Sequence, residues 1–236
     1  MSFAVSSEQN SGPIQIDVVS DVVCPWCYIG KRRLEKALVL KPDIAVEVRF
    51  RPYFLNPWVP REGMSREDYL TTKFGSVDRY KAIAGRVSAA AAADGLIYAA
   101  DKMKRQPNTL DAHRLIFWAG QEGHKDGNSA RMKQRLMDLY FAEGGDLSDP
   151  SVLVRAAADC GLDPDAVRKL LASDQDVERI EREANAAKEA GIDGVPTFIF
   201  GGLAAVSGAQ APEMLADAIE QAANNREQLV AKQAAG

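Results

Sequence analysis

Two cysteines separated by two residues, Cys24-Pro25-Trp26-Cys27, stand where an apolar run gives way to a helical pattern. No other feature constrains the chain as much. Residues 14–20 put Ile14, Ile16 and Val18 on one face, as a strand does. Pro25 suits the first turn of a helix, where its missing N–H leaves nothing unpaired. Ile29, Leu34 and Leu38 then recur at helical spacing, with Lys31, Arg32 and Lys36 left for solvent, and Lys41-Pro42 closes the helix. A second strand follows, in which Ile44, Val46, Val48 and Phe50 alternate with Glu47 and Arg49. The unit is strand–helix–strand, and its helix starts at the two cysteines.

A thiol at a helix N-terminus meets free N–H groups and the positive end of the macrodipole, which favour its anion. Cys24 is therefore expected to be an exposed nucleophile ionising below the ~8.5 of a free thiol. Cys27, one turn further on, is expected to be the thiol that resolves the bond Cys24 forms. A structural disulfide across two residues closes too short a loop to restrict the unfolded chain much. A closed zinc site needs four ligands, and three cysteines and two histidines without a second ligand pair do not supply them, so no metal is expected.

Far along the chain, Gly191-Ile192-Asp193-Gly194-Val195-Pro196-Thr197-Phe198-Ile199-Phe200 is a glycine-rich turn, a proline and a short strand. On the residues alone, Pro196 reads as a proline that starts a strand. Gly201-Gly202 and residues 203–206 complete a hairpin. Ser207-Gly208-Ala209-Gln210 then opens a last helix carrying Met214, Leu215, Ala218 and Ile219. Strand, helix, strand, hairpin and helix is the order of a thioredoxin fold.

On these segments the chain resembles the thioredoxin-like DsbA family, and most of all its FrnE-type branch, a relative of 2-hydroxychromene-2-carboxylate isomerase and kappa-class glutathione transferase. The likeness runs from Ile16 to about Ala222. It rests on Ser20 to Lys31, on Asn108-Thr109-Leu110-Asp111-Ala112-His113-Arg114-Leu115, on Gly191 to Thr197, and on Ser207 to Gln210. The resemblance implies thiol–disulfide exchange, a cis peptide before Pro196, and an all-helical domain inserted into the thioredoxin fold. It also implies that the backbone at Val195, with Pro196 and Thr197, holds an extended substrate beside the cysteines.

The insertion can be read from the residues as well. Between Pro60 and Gly191 helix boundaries abound. Ser65-Arg66-Glu67-Asp68 resembles a capping box. Asp94-Gly95 ends an alanine-rich helix, Thr109 can cap another running toward Gly123, and Gly144-Gly145 stops a third. Asp149-Pro150 and Asp163-Pro164 are caps followed by a first-turn proline, and Gly191 follows the last long helix, so six or seven helices are expected here. The α/β architecture then divides into a thioredoxin-like part, 13–60 with 190–224, and a helical part, 61–189, with flexible tails at 1–12 and 225–236.

Composition excludes several functions. Hydrophobic residues make up 46% of the 236, enough for a core, and no run approaches the ~20 apolar residues of a membrane span. A formal charge of −4 offers no basic surface to nucleic acid or anionic lipid. Met1 to Gly12 are polar and lack the pattern of a secretory signal, so a cytoplasmic setting is expected. There the redox poise keeps most dithiols reduced and favours reduction or isomerisation over oxidation.

Other residues carry two readings each. Asp21 can tune the thiol or serve as a loop or cap carboxylate. His113 and Arg114, with Asn108, can face the cysteines, as the family motif implies, or sit at the surface or core edge. Ser207 and Gln210 can present helix N–H groups to a glutathione carboxylate or cap a helix. Cys160, among Val152, Leu153, Ala156 and Ala157, reads as a buried small hydrophobe before it reads as a third redox cysteine. His124, in a polar loop, carries no signal. Pro25 and a partly exposed Trp26 can offer a flat apolar surface to a substrate, while most of Tyr53, Phe54 and Trp58 are expected to be buried.

The leading function is thiol–disulfide exchange on protein or small-molecule disulfides, with no tightly bound cofactor. The alternatives are a glutathione-dependent isomerase or transferase acting on small aromatic substrates, and a redox-regulated holdase. In the related isomerases the first cysteine position is typically serine, so a cysteine there favours exchange. The electron donor stays open, as does a homodimer through the helical lobe.

Overall fold

The computed structural model describes residues 12–121 and 128–234. Gly123 and His124, and nearly all of the N-terminal segment, lie outside the described residues.

Strand β1 (Ile14–Ser20) runs parallel to β2 (Val46–Pro52), with Ile16 opposite Val48 and Val18 opposite Phe50. Parallel neighbours need a crossover, and helix α1 (Pro25–Leu40) supplies it. A hairpin of β5 (Thr197–Phe200) and β6 (Ala204–Ser207) joins the other edge of β1 antiparallel, giving the order β2-β1-β5-β6. Helix α9 (Pro212–Ala234) packs beside α1 over the first sheet face. Ile14, Ile16, Val18, Leu34, Phe198, Phe200, Leu215 and Ile219 form the core between sheet and helices. The alternation in β1 is therefore what buries that face.

Seven helices lie between β2 and β5 among the described residues. They are α2 (Arg66–Phe74), α3 (Val77–Ala93), α4 (Leu110–Ala119), α5 (Asn128–Asp138), α6 (Pro150–Asp159), α7 (Pro164–Leu171) and α8 (Val177–Glu189). A small ribbon pairs β3 (Met64–Ser65) with β4 (Arg105–Gln106), and a π-helical turn, Leu139–Glu143, extends α5. The expected boundaries are present: Ser65 accepts the Asp68 N–H, and Asp149 and Asp163 each cap a helix that begins with proline. Elements α5 and α8 reach across to β2, so the second sheet face is covered too. The helices share a core with the cysteine loop, in which Val22, Val23 and Tyr28 pack with Leu115, Leu136 and Phe141.

Four local expectations are corrected. Thr109 precedes α4 but makes no side-chain cap; the Asn108 Oδ1 accepts the Leu110 N–H instead, at 3.0 Å, and α4 ends at Ala119 rather than near Gly123. Ser207 ends β6, 208–209 form a bend, and α9 begins only at Pro212. That helix runs to Ala234, past the point near Asn224 where a flexible tail was expected. Lys31 is buried, not solvated, because its ammonium reaches Glu35 and, at 3.0 Å, Gln134 of α5.

Candidate functional site

Cys24 is the N-cap residue of α1, extended at φ −88° and ψ 113°. Its carbonyl accepts the N–H groups of Cys27 at 3.0 Å and Tyr28 at 3.1 Å, and Pro25 occupies the first helical position. The two cysteines are free thiols. A hydrogen bond from the Cys27 thiol is the main influence drawing the Cys24 pKa down, aided by the N–H groups of Cys27 and Trp26 and opposed by burial and by Asp21. Burial and the Cys24 sulfur push Cys27 well up. The pair is thus split, with the anion placed on Cys24.

The expectation of an exposed nucleophile is corrected: Cys24 is 3% exposed. The loop before β5 covers it, and the Cys24 thiol donates to the Val195 carbonyl at 3.6 Å. The Val195–Pro196 peptide is cis. Thr197 Oγ1 donates to the Gly194 carbonyl at 2.8 Å, closing the turn. On the other side, the Gly208 N–H donates to the Pro196 carbonyl at 2.7 Å, with Gly208 at φ +83°, a left-handed conformation that suits glycine. Arg33 of α1 holds that turn through the Ala209 carbonyl at 2.6 Å and also pairs with Asp94. Trp26, beside the thiols, is 39% exposed, as expected.

Asp21 lies in the loop after β1 and is fully buried. Its Oδ2 accepts the Leu55 N–H at 2.9 Å, and its Oδ1 faces His113 Nε2 at 3.3 Å. Burial opposes ionisation of Asp21, but the hydrogen bond and charge of His113, the Leu55 N–H and Lys133 outweigh it and hold the pKa low. Burial in turn lowers the pKa of His113 and favours its neutral form, whose Nε2–H can donate to Asp21. His113 is therefore neither at the surface nor at the core edge; it braces the carboxylate nearest the thiols.

Other candidates lie elsewhere. Arg114 is wholly buried and points away from the cysteines, donating to the carbonyls of Gln175, Leu170 and Ser173 and stacking on Trp118. Asn108 spends its amide on the Val59 carbonyl at 2.8 Å and on capping α4. Ser207 lies 3.3 Å from Thr197 Oγ1, and Gln210 folds back onto the Ser207 carbonyl, so neither opens a helix to an anion. Cys160 is buried at the end of α6, where burial raises its pKa. Tyr53 is buried, while Trp58 stacks on Tyr69 and stays exposed.

Three lysines gain importance from the structure. Besides Lys31, Lys133 is buried and donates to the Ser20 carbonyl at 3.2 Å, and the charges of Cys24 and Asp21 act on Lys73 of α2. Lys73 donates to the Oδ1 of Asn56, whose buried Nδ2 has no partner among the described residues.

The family model for DSBA-like thioredoxin domains matches residues 15–220. The chain belongs to the DsbA-like thioredoxin family. A probable DsbA oxidoreductase from Streptomyces coelicolor is 32% identical, covers 89% of this chain and 90% of its own, and superposes with a TM-score of 0.80. Two more distant structures share the fold. One is a 2-hydroxychromene-2-carboxylate isomerase, 18% identical, covering 91% of this chain and 98% of its own, with TM-score 0.65. The other is the cytosolic disulfide reductase DsbM from Pseudomonas aeruginosa with GSH, 17% identical, covering 91% and 98%, with TM-score 0.59.

Proposed function

We propose that this member of the DsbA-like family exchanges disulfides through Cys24 and Cys27. The observation that carries the reading is the placement of two free thiols at the start of one helix, with Cys24 as its N-cap and Cys27 one turn on, a setting that favours the anion on Cys24. The Cys24 thiolate attacks a substrate disulfide; a Cys24–substrate bond forms, and the displaced thiolate leaves and takes up a proton. Cys27, once deprotonated, attacks Cys24 and releases the second substrate thiol. Two electrons pass from the dithiol to the substrate, and the reverse sequence oxidises a substrate dithiol.

The contact with Val195 serves both halves of the cycle. While protonated, Cys24 occupies the Val195 carbonyl. Ionisation removes that donor, turns sulfur and oxygen into mutually repelling groups, and frees the carbonyl for the N–H of an extended substrate. A thiol that is covered at rest is thereby opened by the same event that makes it reactive. Trp26 supplies an apolar surface beside it.

Lys73 and Asn56 favour a small thiol such as glutathione as co-substrate. Together they offer an ammonium on which the Cys24 charge acts and a buried amide N–H group without a partner among the described residues, a combination suited to a carboxylate. That the DsbM structure carries GSH supports the idea, as does the cytosolic setting of that reductase for a cytoplasmic, reducing role. A reduction potential near −120 mV, as in strong periplasmic oxidants, would contradict that direction.

Insulin-disulfide reduction tests the main reading. Cys24→Ser should abolish turnover, and Cys27→Ser should accumulate mixed disulfides on Cys24. Normal turnover by Cys24→Ser would end the proposal.

A further inference from the structure

One side chain ties the helical insertion to the loop that covers Cys24. Arg33, in the middle of α1, donates from Nε to Asp94 Oδ2 at 2.7 Å and from Nη1 to the Ala209 carbonyl at 2.6 Å. Asp94 caps the C-terminus of α3, its side chain is only 7% exposed, and its other oxygen accepts the Lys36 ammonium at 2.6 Å. A guanidinium is a rigid planar fork, so anchoring one limb on Asp94 fixes the direction of the other. That other limb holds the bend after β6. The Gly208 N–H, one residue before Ala209, donates to the Pro196 carbonyl at 2.7 Å, and the Gln210 N–H closes the bend on the Gly208 carbonyl at 2.9 Å. The next carbonyl back along the chain is that of Val195, which faces the Cys24 thiol. A run of hydrogen bonds and short backbone steps thus leads from α3 of the insertion, through α1 and the bend, to the dithiol.

We propose that Arg33, anchored by Asp94 of the helical insertion, is a positioning residue for substrate, holding the Ala209 bend against Pro196 so that the Val195 carbonyl stands where an extended disulfide substrate binds. The inference rests on the exchange reading above. Arg33 makes and breaks no bond to sulfur and touches no substrate; it keeps one backbone acceptor in place while Cys24 attacks. An exposed ion pair adds little to stability. This pair is largely covered, with Arg33 at 22% exposure, and what it supplies is direction, because the same guanidinium must satisfy Asp94 and Ala209 at once. The insertion therefore sets how firmly a substrate is held, and the start of α1 sets how readily the thiol reacts.

Steady-state insulin reduction separates holding from chemistry. Arg33→Met should raise KM about fivefold or more and change kcat far less, as expected when binding and not reactivity is lost. In the reduced protein its Cys24 should be alkylated by iodoacetamide about threefold faster or more as the cover loosens, while the buried Cys160, mapped in the same digest, keeps its rate. Arg33→Lys keeps a cation beside Asp94, and with it the fold, but has no second limb for Ala209, so it should show the same rise in KM. Asp94→Asn should raise KM alone yet add little once Arg33 is Met, because it acts through Arg33. Wild-type KM in both Arg33 variants overturns the inference. So does a rise in Cys160 alkylation that matches the rise at Cys24, since that marks general loosening. A wild-type protein that does not reduce insulin contradicts the exchange reading instead.

Discussion

Gly30 and Pro196, separated by most of the chain, meet with no room between them: a methyl on Gly30 would stand 2.8 Å from Pro196 Cγ and 3.2 Å from Phe198 Cζ. The second turn of α1 therefore seats the loop that covers Cys24. The catalytic proposal depends on this seating, because the Val195 carbonyl can receive the Cys24 thiol only if Pro196 lies against α1.

Gly30→Ala forces the Pro196 ring and the α1 backbone apart. Overpacking of this kind costs about 1–3 kcal/mol. The variant should melt earlier and show an altered rate of Cys24 alkylation, since the contact with Val195 moves with Pro196. Unchanged melting together with unchanged alkylation would contradict the seating.

Arg114 joins α4 to the connection between α7 and α8, where its guanidinium reaches three backbone carbonyls at 2.7–2.9 Å and Asp111 at 2.7 Å. A lysine has a single compact head and cannot reproduce that fork. Arg114→Lys and Arg114→Met should each lose about 3 kcal/mol or more in urea denaturation, because three carbonyls lose a charged donor that ties α4 to the end of α7 and the connection after it. The Cys24 titration should stay where it is, which separates this structural role from one at the dithiol.

Lys133 makes stability depend on pH. Burial lowers its pKa from the ordinary 10.5 to about 8. Between those values the unfolded chain holds a proton that the folded chain has released, so stability rises with pH across that window. Below pH 8 the full cost is present, about 3 kcal/mol. Comparing wild type with Lys133→Met in urea at pH 7 and pH 10, the difference should move in favour of wild type by about 2 kcal/mol or more. A difference that is constant with pH would contradict a lysine buried in its charged form.

Much of the thioredoxin-like part was legible because punctuation and periodicity agree there. Pro25 after an alternating run, Lys41-Pro42 and the Gly201-Gly202 hairpin are local signals there, as are the two Asp-Pro helix starts in the helical part, and each sits where expected. What the sequence hid are charges whose partners come from distant segments. Lys31 and Lys133 look like solvated side chains until α1 and α5 are packed together, and Asp21 finds His113 across 92 positions. One signal was available: Lys133 lies one turn before Leu136 and Met137, on the apolar face of α5, where a lysine stands out. The Ser207–Gln210 segment failed for the opposite reason. Its composition suits a helix start, but Ser207 pairs with Thr197 in the hairpin, and the Pro196 carbonyl and Arg33 hold Gly208 and Ala209 in a bend.

The central claim is that the start of α1, with the Cys27 thiol beside it, makes Cys24 the acidic member of the pair. Thiolate absorbance against pH, with Cys24 assigned by its loss in Cys24→Ser, tests this directly. The account predicts a Cys24 midpoint below the ~8.5 of a free thiol, with Cys27 ionising well above it. A Cys24 midpoint at or above that of a free thiol would contradict it.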